Sequence, residues 1–415
     1  MNLAHELEER GFIQQFSSDS LGEIVDGERR TIFQGIDPSA DSAHVGNLTV
    51  WMLLRHLGKA GHKIIFLIGG GTGMIGDPKP DKERQLEDEA CVKENVVKIK
   101  KQAENFFTDI EIEFVDNADW LKDLKLIDFL RDTGKHFTVN ELIKKEAIAN
   151  RLQSDTGLSY TEFAYPLLQG YDYLKLFQTR NCTVQIGGSD QWGNIISGVE
   201  LIRRKTQNEV FAVTVPLVVD KTTGKKFGKS EGNAIWLDKE KTSPYQFYQF
   251  WLNVSDDSVE EHLKRFTFLQ LEHIVEVVRE HEKNPGNRLA QKTLALRVTE
   301  LVHGIELSKT AETVSQVLFE GRSLGTLSDI EKEMFLSNAP VLKTKEGEAL
   351  TDVLIRSNLA TSKREARTFI ESGAIALGDE RISAVDTNIS GKYFVEGITL
   401  LRRGKKNLCL LSLDT

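Results

Sequence analysis

Tyr165, Gln169 and Asp172 stand at i, i+4 and i+7 in a stretch, 166–177, whose other residues are apolar almost all round. On a helix that spacing sets the three on one stripe, and a helix apolar on its remaining faces is enclosed by protein. A buried amide or carboxylate costs roughly 1–3 kcal/mol unless a partner satisfies it, so something polar must lie against the stripe. A structural hydrogen-bond network would meet that need, as would a pocket for a small polar ligand. The strand VQIGG and the turn GGSDQWGN then bring Gln185, Asp190 and Gln191 to the same end. Six polar side chains at one strand–helix corner favour the pocket.

Three further segments carry candidate chemistry. His44-Val45-Gly46-Asn47 opens a helix, where free amides and the positive dipole end favour phosphate. The loop DKTTGKKFGKSEGN (220–233) carries Lys221, Lys225, Lys226 and Lys229. Three residues, not four, separate Gly224 from Gly228, and the loop falls late in the chain, so a phosphate-loop NTPase is disfavoured. GGTGMIG (70–76) matches a dinucleotide fingerprint on paper, but Asp77-Pro78-Lys79-Pro80 follows where that fingerprint needs a helix. The expectation here is that the glycines admit a ligand close to the backbone, with Asp77 pointing into the same cleft.

Helical spacing marks residues 2–17, 46–60, 83–108 and 139–152, and β-type runs mark RTIFQGID (30–37), KIIFLIGGGTG (63–73) and FAVTVPLVV (211–219). Strand, helix, strand in this order implies a parallel sheet. From about 244 to 320 only helical periodicity remains, and a final segment of short helices and β-type pieces closes the chain. The expected organisation is an α/β protein with a Rossmann-like parallel-sheet domain over 1–220. The Lys/Gly loop and an all-α domain follow over 221–325, then a linker over 326–347 and a small α+β domain over 348–415. Net charge is −9 over 415 residues, yet 343–415 holds 12 Lys/Arg against 10 Asp/Glu, so nucleic acid would have to be met by local basic patches. RRGKK (402–406) is the densest of these. The N-terminus MNLAHELEERGF is charged, no apolar run approaches membrane-span length, and Cys91, Cys182 and Cys409 show no paired or metal-ligating spacing. A cytoplasmic protein with no membrane segment is expected.

HVGN and KFGKS, in that order, resemble the two signature motifs of class I aminoacyl-tRNA synthetases. FQGIDPSADSAHVGNL, GMIGDP, YPLLQGYD and QIGGSDQWGN extend the resemblance to the bacterial tyrosyl-tRNA synthetases over about 30–235, with a looser match to an anticodon-side helical domain and a ribosomal-protein-type RNA-binding domain beyond. The resemblance implies activation of L-tyrosine by ATP, as its Mg2+ complex, then transfer of the tyrosyl group to tRNA(Tyr) by a homodimer, with no protein-bound cofactor or metal. It implies that Asp77, Tyr165 and Gln169 hold the α-ammonium, that Asp172 takes the phenol, and that Gln185 lies near the substrate. Gly35, Asp37, Gly188, Asp190 and Gln191 would contact substrate and adenylate, and Ser39, His44, Gly46, Asn47, Lys226 and Lys229 the ATP, assisted by Lys82 and Arg84. Lys363, Arg364, Arg367, Arg402, Arg403, Lys405 and Lys406 would contact RNA. Two departures stand out: Phe33 replaces the usual tyrosine whose hydroxyl also bonds the substrate phenol, and Asn47 replaces the second histidine of the first motif. The related tryptophanyl enzyme fits Asp172 and Gln169 less well, a catalytically idle RNA-binding relative conflicts with intact His44, Lys226 and Lys229, and a nicotinamide oxidoreductase conflicts with the two prolines.

Overall fold

Runs of β-branched and aromatic residues with little polar interruption make the strands of the first unit, as a parallel sheet covered on both faces requires. The computed structural model describes residues 2–79, 85–153, 157–219, 233–320, 322–404 and 407–414. The chain divides into two units, residues 1–242 with 255–290, and residues 243–254 with 291–415. In the first, β1 (Gln15–Phe16), β2 (Thr31–Ile36), β3 (Lys63–Ile68), β4 (Ile112–Asp116), β5 (Cys182–Gly188) and β6 (Phe211–Val215) form one sheet in the order β1-β6-β5-β2-β3-β4. All neighbours are parallel except β1, which runs against β6. The chain runs outward from β2 to β3 and β4, then returns to the other side of β2 with β5 and β6. Open sheets of this kind bind ligands in the crevice at the carboxyl ends of the strands where the order reverses, here between β2 and β5.

The helix Val45–Lys59 connects β2 to β3 and is buried along most of its length. The stripe residues lie on the helix Tyr160–Arg180, capped by Ser159 at its start and ended by Asn181 in the left-handed region at φ 51°. It packs on the helix Trp192–Thr206 through Gly170 and Gly198, where a Cβ would meet Phe137 and Tyr173 at 2.9 Å. The two backbones can approach only because neither residue has a side chain. β4 went unread in the sequence: its polar alternation, IEFVD, is that of a strand at the sheet edge, with Val115 its one buried residue.

The helices Asp256–Phe266 and Leu271–Lys283, read from sequence as part of the all-α domain, group with the first unit. The reason is polar as well as apolar. Arg10, 4% exposed, donates to the carbonyls of Lys264, Thr267 and Leu269 at 2.9–3.2 Å, and Arg265 donates to Gly11 O at 2.8 Å.

The second unit joins the helices Pro244–Leu252, Ile305–Phe319 and Asp329–Asn338 to a sheet of β7 (Val341–Thr344), β8 (Ile375–Leu377), β9 (Glu380–Ile382), β10 (Ile398–Arg403) and β11 (Asn407–Leu413), ordered β7-β11-β10-β8-β9. The segment 326–347, expected as a linker, is instead structural. Its helix buries Phe335 with Tyr245, Val314, Val317, Leu400 and Leu410, and β7 pairs in parallel with β11. Four residues at a sheet edge are too short for a periodic signal to show. A separate core around Leu350, Val353, Leu354, Ile370, Leu377 and Leu401 lies on the other face of the sheet. Among the described residues no helix is long and apolar enough to cross a membrane.

Arg10 gives this scaffold its first test. Charge-assisted bonds contribute roughly 1.5–3 kcal/mol each way they are counted, and Arg10→Met leaves three carbonyls unpaired, so a loss of about 2–4 kcal/mol in urea unfolding is expected. A change below about 1 kcal/mol would mean that these bonds do not hold the 256–283 helices to the N-terminus.

Candidate functional site

A cavity of about 810 Å³ opens at the β2–β5 crevice. Its walls include Phe33, Gly35, Asp37, Ser39, His44, Gly46, Asn47, Asp77, Tyr165, Gln169, Asp172, Gln185, Gly188, Asp190 and Gln191. Residues that sequence reasoning drew from four separate motifs are thus brought together. Lys82, Arg84, Lys226 and Lys229 lie outside the described residues.

Asp172 forms the floor. It is 3% exposed, its Oδ1 accepts from Trp120 Nε1 at 2.7 Å, and its Oδ2 accepts from Asn117 Nδ2 at 2.9 Å. Burial raises its carboxyl to a pKa of about 7, against the pull of the Asn117 and Trp120 donors and with the nearby Asp37 and Asp116 charges. A carboxylate has about four acceptor positions. One donor per oxygen leaves capacity on the cavity side for an incoming O–H.

From Asp172 a line of hydrogen bonds crosses the strand ends. Asn117 Nδ2 also donates to Thr72 Oγ1 at 2.8 Å, and Thr72 donates to Asp37 Oδ1 at 2.7 Å. Tyr165 donates its hydroxyl to Asp37 Oδ2 at 2.9 Å, and burial with the Asp37 charge holds that phenol well above its ordinary pKa. Its oxygen keeps lone pairs for a cation. Asp77 accepts from Gln191 Nε2 and Asn194 Nδ2, both at 2.9 Å. Gln169 Oε1 and Gln185 Oε1 are buried without a hydrogen-bond partner among the described residues. Two buried amide oxygens on residues that line a cavity call for a donor.

Above this sits HVGN. His44 caps its helix: Gly46 N–H donates to His44 Nδ1 at 3.0 Å, and Asn47 Oδ1 accepts from His44 N–H at 3.1 Å. An accepting Nδ1 leaves the ring proton on Nε2. Burial lowers the His44 pKa to about 4, so near neutrality it is an uncharged N–H donor. The loop bearing Asp37 and Ser39 is braced from the helix Glu89–Phe106, where Asn95 donates to Pro38 O at 3.0 Å and Gln102 accepts from Ala43 N–H at 2.8 Å. The chain beyond 232 returns to the same place: Val45 N–H donates to Ile235 O and Leu237 N–H to Ala43 O, both at 2.9 Å. Residues 235–237 are therefore tied to the start of the HVGN helix.

Gly73 and Gly76 of the glycine run line the cavity, while its first members serve packing. A Cβ on Gly69 would collide with Asp37 and Thr72, and one on Gly70 with Asp116. A short 3₁₀ turn, Thr72–Met74, follows in place of a fingerprint helix. Thr72, Asn117, Trp120 and Asn194 escaped the sequence reading. Asn194 lay inside a quoted motif, whereas Asn117 and Trp120 follow the unread β4 and had no signal of their own.

In the second unit, Arg364 and Arg367 are exposed on the helix Lys363–Glu371, and Lys363 pairs with Asp352 at 2.7 Å. Arg402 and Arg403 turn to the protein: they donate to Val317 O at 3.0 Å and Leu359 O at 2.8 Å, with Arg403 also stacked on Phe369. Lys405 and Lys406 lie outside the described residues. Among the described residues no three His, Cys, Asp or Glu side chains are grouped to hold a metal ion.

Residues 26–320 match the family model of tRNA synthetases class I (W and Y), so the parallel sheet with its crevice and HVGN cap is that of a class I aminoacyl-tRNA synthetase. Residues 329–411 match the Tyrosine--tRNA ligase SYY-like C-terminal domain. The chain is 45% identical over 421 residues to the tyrosine–tRNA ligase of Lactococcus lactis subsp. lactis (strain IL1403), covering 99% of this chain and 100% of that protein. The ligase of Streptococcus uberis (strain ATCC BAA-854 / 0140J) is likewise 45% identical over 422 residues, with the same coverage. The crystal structure of a C-terminally truncated Aspergillus nidulans mitochondrial tyrosyl-tRNA synthetase aligns with a TM-score of 0.69 at 30% identity, over 77% of this chain and 94% of that one. The chain belongs to the tyrosine–tRNA ligase family. The reaction is the family's two-step one, in which tyrosine and ATP give tyrosyl-adenylate and the tyrosyl group passes to tRNA.

The His44 geometry gives a pH test. With its pKa lowered to about 4, His44 stays uncharged from pH 8 down to about 5.5. The ratio of ATP–pyrophosphate exchange rates between the parent enzyme and His44→Asn is expected to hold constant over that range. A twofold change in the ratio centred near pH 6.5 would show an ordinary, solvated imidazole.

Proposed function

We propose that the crevice binds tyrosine with its phenol on Asp172 and its α-ammonium on Asp77, Tyr165 and Gln169. What carries this reading is the Asp172 carboxylate: enclosed, bonded once on each oxygen, and bordering a cavity. A carboxylate, a phenol oxygen and an amide oxygen can all accept from an ammonium, and the unpaired Gln169 Oε1 gains its donor there. Gln185 lies along the bound side chain. Gly35, Asp37, Gly188, Asp190 and Gln191 contact substrate and adenylate ribose, while Ser39, Gly46 and Asn47 meet the ATP.

The nucleophile is the substrate's own carboxylate, so the protein's work is positioning and charge stabilisation. Neutral His44 donates from Nε2 to a phosphate oxygen. Lys226 and Lys229, helped by Lys82 and Arg84, neutralise the charge that develops on the phosphates; for these four the support is the motif resemblance alone. Mg2+ enters with ATP as part of the substrate, held mainly by phosphates and water. Arg364 and Arg367 supply phosphate contacts to tRNA(Tyr). The homodimer reading takes its support from the family resemblance, with exposed Leu126, Ile127, Leu130, Val139 and Ile143 as apolar side chains that a partner would cover. A cytoplasmic setting is supported by three unpaired cysteines. In ATP–pyrophosphate exchange across the twenty amino acids, tyrosine should be the preferred substrate; exchange driven best by another amino acid would overturn the assignment.

Two outcomes follow for selectivity. Phe33 packs against Tyr173 at 5.1 Å between ring centroids and lines the cavity without a hydroxyl. Restoring it in Phe33→Tyr should raise the ratio of specificity constants for tyrosine over phenylalanine roughly fivefold, one hydrogen bond's worth; an unchanged ratio would remove Phe33 from the selectivity account. The ionised form of Asp172 accepts the phenolic O–H, so the KM for tyrosine should rise toward tenfold per pH unit below about 7 as that carboxyl takes up its proton. Phenylalanine, having no hydroxyl, should show no such slope, and parallel slopes for the two would rule out the direct bond.

A further inference from the structure

A second cavity, of about 220 Å³, lies wholly within the second unit, between the β8–β9 hairpin, the 391–393 turn and β10. Sites for drug-sized ligands run about 300–1,000 Å³, so this one suits a single ring system. Thr399 lines it at 1% exposure, and its hydroxyl has no hydrogen-bond partner among the described residues. Arg402 Nε is likewise buried and without a partner among the described residues, while its Nη2 donates to Val317 O at 3.0 Å. At the mouth stand Tyr393, with the Lys392 ammonium 4.5 Å from its ring centroid, and the carboxylates of Glu380 and Asp379, the latter accepting from the Ser323 hydroxyl at 2.9 Å.

This set of groups narrows the ligand. The two carboxylates disfavour a bare anion, and an apolar guest would leave Thr399 and Arg402 unsatisfied. A planar heterocycle with donors and acceptors along its edge satisfies both, gives Tyr393 a stacking partner, and brings a phosphate within reach of Lys392. Proteins read single-stranded RNA in this way, by splaying a base out, stacking it on an aromatic ring and bonding its edge.

We propose that this cavity receives one unpaired nucleobase of the tRNA substrate, stacked on Tyr393 with its edge on Thr399 and Arg402. The proposal rests on the reading that the C-terminal module contacts tRNA, and its test separates the two. Thr399→Val keeps the shape and removes the hydroxyl, a change the fold tolerates or welcomes where that hydroxyl has no partner within the protein. Tyr393→Leu keeps an apolar side chain against the core and removes the ring. Arg364→Glu combined with Arg367→Glu reverses exposed charge far from any cavity wall.

In aminoacylation of a tRNA(Tyr) transcript by the full-length enzyme, Thr399→Val should raise the KM for tRNA about fivefold and Tyr393→Leu about tenfold. ATP–pyrophosphate exchange should stay within twofold of the parent, and the melting temperature of Thr399→Val should be unchanged or higher. If the Arg364/Arg367 double variant raises that KM while Thr399→Val and Tyr393→Leu leave it within twofold, the cavity is not a base site although the module still meets RNA. If none of the three moves it, the module reading fails and the base site with it. A Thr399→Val enzyme that loses melting temperature and exchange activity together would show the hydroxyl to be structural. Should Tyr393→Leu fail to fold, Thr399→Val decides alone.

Discussion

An ionisable group enclosed at the foot of a cleft, Asp172, is the constraint on which the remainder of the active half depends. Its side chain lines the same cavity as Phe33 and Leu67 and lies against Trp120, an apolar neighbourhood in which an unpaired charge would cost several kcal/mol. Asn117 and Trp120 offset part of that cost, and each comes from the turn after β4. Asn117 in turn fixes Thr72 after β3, and Thr72 fixes Asp37 after β2. One line of hydrogen bonds therefore sets the relative positions of three strand ends. Because Tyr165 and Asp172 are carried on one helix, that line also fixes the spacing of the two groups proposed to hold the ends of the amino acid.

The same economy shows in the charges. Asp37, Asp77, Asp172 and Asp190 crowd one crevice, a strongly acidic pocket for a reaction whose second substrate is a polyanion. On the proposed binding mode Asp77 and Asp172 meet the ammonium and the phenol, and Asp37 and Asp190 the ribose hydroxyls, all of them N–H or O–H donors. The phosphate side carries uncharged donors, the amides at a helix start and His44 held neutral by burial. A neutral donor at His44 adds no cation beside those aspartates.

The parts of this plan that could be read before any coordinates were those with long, strong periodicity or polar residues in apolar surroundings. The 160–180 helix and its stripe, the apolar β3 and the HVGN cap belong here, because burial of a polar group demands a reason that local sequence can reveal. β4 and β7 were hidden because edge strands are half-exposed and short, so their alternation resembles a loop. Asn117 and Trp120 went with β4: a residue that matters only by holding another residue in place has no motif of its own. The glycines at 70–76 were visible but only partly legible: Gly73 and Gly76 line the cavity, whereas Gly70 and Gly71 make room for Asp116, Asn117 and Leu121, and a missing side chain does not say whether its close neighbour is ligand or protein. Helices 256–283 were visible too, yet their allegiance depended on Arg10, more than 250 residues away, and no local pattern carries a contact of that range.

The raised pKa of Asp172 bears on selectivity in a way that geometry alone does not. Rejection of phenylalanine follows from leaving a buried polar group unpaired, a rule for which tyrosyl-tRNA synthetases are themselves the standing illustration. That penalty is full only if the group must stay charged. A carboxyl whose pKa is about 7 has an escape at neutral pH, because taking up a proton there costs less than one RT, and the neutral acid tolerates an apolar neighbour far better than the carboxylate does. A hydroxyl at position 33 would have no such escape, since a phenol stays a phenol across the working range. On the proposed binding mode, with Phe33 in place, discrimination rests on a group that can evade the penalty by protonation, and selectivity grows as the pH rises and that evasion becomes costly.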